Sequence, residues 1–143
     1  MGGHLAFALG DVLFSGDHVM GWASTLVSPP DGDMAAYMDS LARLSARAWS
    51  RFLPGHGEAV EDPATRLAAL TAHRREREAQ ILSALQERPD SATGLAARIY
   101  SDTPAALLPA ASRNVLSHLI DLASRNRATA AGKPSLSTRY DTV

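Results

Sequence analysis

The sequence predicts an α+β chain in which short strands come first and a run of helices closing on a hairpin comes second. Three observations carry this reading. Short apolar runs near the N-terminus are separated by Gly-Asp and Pro-Gly punctuation. Apolar residues at helical spacing recur from residue 34 onward. A Gly-Lys-Pro turn between Ser/Thr-rich flanks lies close to the C-terminus. The chain has 143 residues, 45% of them hydrophobic, and a net charge of −1. That suffices for one ordinary domain or two small ones and excludes a disordered chain.

His4 to Leu9 is apolar, Gly10-Asp11 is a hairpin turn, and Val12-Leu13-Phe14 is a second buried run. Ser28-Pro29-Pro30-Asp31-Gly32-Asp33 excludes regular structure, because proline removes a donor and fixes φ. Met34, Tyr37, Met38, Leu41, Leu44 and Ala48 then fall on one face of a helix over 34–48, which Asp31 or Asp33 can cap. Trp49 to Leu53 suits a third strand, stopped by Pro54-Gly55. Asp62-Pro63 is a helix start, an acid at the cap and proline at the first helical position. Nothing breaks that helix before Pro89, so it reaches roughly 38 Å at ~1.5 Å per residue. Such a helix can leave one core and enter another. The domain boundary is placed inside it, giving domains 1–72 and 73–143. The run from Arg74 to Glu78 reads as an exposed face with i,i+4 pairs.

Beyond Pro89, Thr93 is expected to cap a short helix with Leu95, Ala96 and Ile99. Leu108, Ala111, Val115, Leu119 and Leu122 form the stripe of a largely buried helix. Residues 125–140 form a hairpin around Gly132-Lys133-Pro134. This element order is that of a winged helix-turn-helix.

The chemistry available is bounded by composition. With no cysteine there is no disulfide, thiolate nucleophile or Cys-type zinc site, so a transition metal must be held by His and carboxylates. Residues 1–87 carry seven basic and eleven acidic side chains, and residues 88–143 carry seven basic and four acidic. That mild basic excess falls short of a nucleic-acid footprint. No apolar run approaches the ~20 residues that cross a bilayer. Met1 is followed by Gly2-Gly3-His4 without a basic region, so a cytoplasmic location without membrane attachment is expected.

Two residues stand directly after strands: Asp17 in Ser15-Gly16-Asp17-His18, and His56 in Pro54-Gly55-His56-Gly57. A carboxylate can bridge two cations, and a neutral imidazole gives zinc one nitrogen. Flanking glycines admit close approach. The same residues also suit plain turns. His4, His18 and Trp22 are second-tier candidates, able to line a pocket or support it. His73 and His118 are expected on a solvated face or a packed edge.

Four segments taken in order resemble a known family. They are His4-Leu5-Ala6-Phe7-Ala8-Leu9, then Val12-Leu13-Phe14-Ser15-Gly16-Asp17-His18-Val19-Met20-Gly21-Trp22, then Phe52-Leu53-Pro54-Gly55-His56-Gly57-Glu58, then His73-Arg74 leading to Ile81-Leu82. Together they resemble the metallo-β-lactamase fold hydrolases, in the subgroup of glyoxalase II and β-lactamase-like protein 2. That subgroup carries a C-terminal winged-helix domain. The resemblance implies the C-terminal half of an αββα sandwich followed by a winged helix. It also implies two zinc ions whose bound hydroxide attacks an ester, thioester, amide or phosphodiester. Asp17 matches the metal-bridging aspartate, and His56 the histidine that completes the second metal site. His4 matches the second, non-ligating histidine of a Gly-His-Ser/Thr-x-x-His segment. The family's principal His-x-His-x-Asp-His motif is absent.

This implies a fragment whose own hydrolysis is negligible, since one Asp and one His cannot hold a zinc pair. A strand layer lacking its other half is expected to pair with a missing N-terminal half or a second copy. The alternative is a winged-helix binding module without catalysis, whose third helix offers Ser112, Arg113, Ser117 and His118 to a nucleic acid or protein.

Overall fold

A computed structural model describes residues 4–143. Its element order is β1 (Phe7–Leu9), β2 (Val12–Gly16), α1 (Met34–Ser45), β3 (Arg51–Pro54), α2 (Pro63–Glu87), β4 (Asp90–Ser91), α3 (Ala92–Ile99), α4 (Leu108–Ser124), β5 (Ala128–Ala130) and β6 (Arg139–Thr142). The α+β class follows. Contacts divide the chain into two compact units. The first comprises residues up to Thr25 together with Ala36–Arg74, and the second Leu26–Ala35 together with Arg75–Val143. The segment holding Pro29 and Pro30 thus clusters with the C-terminal unit.

In the first unit, β1 and β2 form the expected antiparallel hairpin, with Leu9 opposite Val12 and Gly10 at φ +60° in the turn. The left-handed region carries no steric penalty for glycine, which is why this turn is so legible. β3 pairs in parallel with β2, Leu13 opposite Phe52. Side chains alternate across the sheet. Leu13, Ser15 and Phe52 are buried on one face. Phe7, Leu9 and Phe14 lie on the other face and are 64%, 73% and 46% exposed.

α1 stops at Ser45, before the expected Ala48. The reason is tertiary. The Arg47 guanidinium donates to the Gly10 carbonyl and lies over the Trp49 ring, while Trp49 Nε1 donates to Leu44 O at 2.9 Å. These contacts take the chain out of helical register.

α2 starts and ends as expected, and Asp62 Oδ1 accepts from Thr65 N at 3.1 Å. Its charged middle is only in part a solvated face: Arg75 and Glu76 are exposed, but the others are not. Arg74 is buried, donates to Thr25 O, and stacks 5.2 Å from the Tyr37 ring. Arg77 stacks on Tyr100 at 4.3 Å. Glu78 accepts from Arg125 at 2.6 Å. Long side chains bury their stems while their heads find partners, which a reading of charge alone overlooks.

The second unit closes its own core, built from Ile81, Leu85, Leu95, Val115, Leu119, Leu122 and Tyr140. α3 is capped by Ser91, not by Thr93. Gly94 N donates to Ser91 Oγ at 3.1 Å, and Thr93 Oγ1 is occupied by Leu136 O at 3.2 Å. α4 ends in a Schellman turn. Asn126 sits at φ 54°, and Arg127 N donates to Leu122 O at 2.8 Å. The hairpin is present, and β4 joins it in the order β4-β6-β5. Three helical segments followed by this sheet make the winged helix.

Candidate functional site

The site is built by the parallel pairing of β2 and β3. Gly16 stands opposite Pro54, and Gly55 N donates to Gly16 O at 3.0 Å. Asp17 and His56 therefore leave the sheet at the same end, on adjacent strands. His56 Nδ1 lies 2.7 Å from Asp17 Oδ1. A carboxylate oxygen accepts, so Nδ1 is the donor in this contact. Both side chains are open to solvent, His56 at 71% and Asp17 at 42%. Two glycines make room. A Cβ at Gly16, which sits at φ +53°, would lie 2.7 Å from the His4 ring, and one at Gly57 would lie 2.6 Å from Trp22.

The other candidates fall in distinct places. His4 Nε2 lies 3.1 Å from Ser15 O, a backbone contact beneath the site. His18 Nε2 pairs with Ser40 Oγ at 2.9 Å, and its ring meets the edge of Tyr37 at 5.1 Å. Burial, then the neighbouring His4 and Arg43, push the His18 pKa down to about 4. It is thus neutral at pH 7, a packed support for the turn. Trp22 is exposed and lies along Gly57.

Three side chains that hold the loop after Asp17 have no motif of their own. Thr25 Oγ1 donates to Asp17 O and is 3.1 Å from His18 O. Arg66 donates from Nε to Met20 O at 2.7 Å and from Nη2 to Ala23 O at 2.8 Å. Ser15 Oγ donates to Val19 O at 2.8 Å. The one sequence signal is Arg66 itself, a charge adjoining Leu67 on a helix whose partner the sequence does not name.

The fit to a metal can be tested on these donors. A hydrolytic zinc takes at least three protein ligands. Among the described residues no three His, Cys, Asp or Glu side chains come together. The Asp17–His56 pair alone does not fit a resident ion.

Of the polar positions expected to face a groove from α4, Ser112, Ser117 and His118 are buried, and only Arg113 is exposed. The stripe that fills the core is wider than the apolar residues suggested. Among the described residues, no helix is long and apolar enough to cross a membrane.

Comparison with known proteins agrees with this architecture. Residues 91–135 match the family described as Beta-lactamase associated winged helix domain. The chain is 34% identical over 123 residues to a Beta-lactamase-like protein 2 homolog of Drosophila melanogaster, covering 83% of this chain and 41% of that protein. It is 33% identical over 86 residues to an atrochrysone carboxyl ACP thioesterase of Aspergillus chevalieri, covering 59% and 27%. A crystal structure of a metallo-beta-lactamase family protein from Thermus thermophilus superposes with a TM-score of 0.83 at 25% identity, covering 99% of this chain and 46% of that one. The chain spans less than half the length of these relatives. It is a metallo-β-lactamase fold protein, carrying the C-terminal portion of that fold with its winged-helix domain.

Proposed function

We propose that the chain is the C-terminal portion of a zinc-dependent hydrolase, and that Asp17 and His56 are the metal ligands this portion contributes. The single observation behind this is their convergence to 2.7 Å at the ends of adjacent parallel strands. A rigid strand end is where a ligand is held without the blur of a loop. Among ester, thioester and phosphodiester, the thioester is favoured by the similarity to a protein named a thioesterase. Two donors leave zinc undercoordinated, so the chain alone does not hydrolyse. Its residues supply placement. Gly16 and Gly55 set the strand ends, and Thr25 with Arg66 fixes the loop that carries Asp17. The apolar face of Phe7, Leu9 and Phe14, exposed in this chain, is the surface on which the remainder of the fold docks, supplied by a separate N-terminal half or imitated by a second copy.

The test has two arms. The chain is assayed with zinc on an acyl thioester and on bis(p-nitrophenyl) phosphate. It is then joined to the part of the Drosophila relative that precedes the matched region. The chain alone should show no turnover above its Asp17→Ala variant. The zinc-loaded chimera should hydrolyse one substrate, and Asp17→Ala or His56→Ala should lower that rate at least ~100-fold, as loss of a metal ligand or its immediate partner does. A chimera equally active with Asp17→Ala overturns the assignment.

A further inference from the structure

The second unit contains a pocket of about 550 Å³, within the roughly 300–1,000 Å³ of small-molecule sites. We propose that it binds an amphipathic monoanion, an apolar body ending in one carboxylate. Every residue lining it belongs to this unit, so the inference stands apart from Asp17, His56 and the hydrolase reading.

The walls are apolar. Pro29, Pro30 and Met34 form one side, and Leu116, Ile120 and Pro134 the other. Such walls accept a hydrocarbon body by removing it from water. Ser117 also lines the pocket. It is 2% exposed, and its Oγ has no hydrogen-bond partner among the described residues. Ser112 on the same helix solves this problem internally, donating to Leu108 O at 2.8 Å. Ser117 does not, but its Oγ is sealed from solvent, so it offers a ligand in the pocket no contact.

The charged groups decide the sign of the ligand. Asp121 accepts from Arg125 Nη2 at 2.7 Å, and the same guanidinium holds Glu78. Asp33 already interacts within the chain. Lys133, beside Pro134 on the wing, makes no ion pair among the described residues. It is the one cation among the described residues that line the pocket, and an ammonium takes a carboxylate. The neighbouring carboxylates disfavour a second negative charge, which limits the ligand to a monoanion.

The test uses decanoate as the probe and decanol as its neutral counterpart, with calorimetric titration of the whole chain. Saturable one-to-one binding of decanoate is expected. Ile120→Trp, which fills the pocket, should weaken binding tenfold or more, and Ala35→Phe should do the same from the exposed side if the first variant fails to fold. Lys133→Met should weaken decanoate about threefold, the scale of an exposed ion pair, and leave decanol unchanged. Phe14→Asp, on the exposed strand face of the other unit, should change nothing. No saturable binding, unchanged binding when the pocket is filled, or loss of binding in Phe14→Asp overturns the proposal. Equal loss of decanoate and decanol in Lys133→Met overturns the anionic assignment.

Discussion

The strand layer of the first unit and the winged helix of the second solve the same problem with opposite results. The winged helix buries both ends of its apolar pattern. Leu119 and Leu122 are fully covered, and Tyr140 from the last strand packs into the same cluster. The strand layer buries Leu13 and Phe52 on one face and leaves Phe7, Leu9 and Phe14 facing solvent on the other. A sheet has two faces and needs two coverings, whereas a small helical unit can wrap its core alone. Asp17 and His56 both belong to the strand-bearing unit, and the winged-helix unit carries neither.

The largest test of this contrast is a pair of truncations. Leu119→Ala should destabilise the chain by roughly 2–5 kcal/mol, because a cavity opens in a covered core. Phe14→Ala should cost clearly less, about 1 kcal/mol, since nearly half of that residue is already in water. Urea denaturation of both variants checks this. A loss of several kcal/mol in Phe14→Ala would mean that the strand face is covered, for instance by a second copy. Sedimentation would then show a dimer.

Capping effects come next. Ser91→Ala should cost ~1 kcal/mol by releasing Gly94 N, with Thr93→Ala costing less. A larger loss in Thr93→Ala would return the cap to the residue that spacing suggested. The smallest effect is at Asp62. Backbone hydrogen bonds from Thr65 at the start of α2 hold its carboxyl below the ordinary 3.8. A carboxyl depressed on folding adds stability above its unfolded pKa, and that contribution is lost as pH falls through the folded value. Asp62→Ala should therefore lower the melting temperature slightly at pH 7. The gap should close at acid pH below 3.8, as thermal unfolding at several pH values would show.

Much of the fold was legible in the residues, and so were the two residues that the site brings together. Gly10-Asp11 marks the hairpin, Asp62-Pro63 marks the start of α2, and the leucine stripe marks α4, because turn chemistry and periodicity act within a few residues. Asp17 and His56 are each visible as residues after strands. Their distance is not, since it depends on β2 and β3 lying side by side in parallel with 39 residues of separation. Arg74 reads as solvated, yet it is buried, because its partners, Thr25 and Tyr37, lie far away in sequence. Ser117 and His118 read as groove residues and are buried for a similar reason. A polar residue in a stripe reports its own chemistry and nothing of what covers it.

By itself, then, the sequence determined the elements, their order, the absence of cysteine chemistry and the identity of two ligand-type residues. These are set by local backbone preference and side-chain type. Tertiary structure alone decided the pairing that joins Asp17 to His56, the burial of Arg74, the engagement of Thr93 by Leu136 and the pocket beside Ser117. Each of these depends on which distant segment arrives against a given face, and a contact between distant segments leaves no periodic trace in either of them.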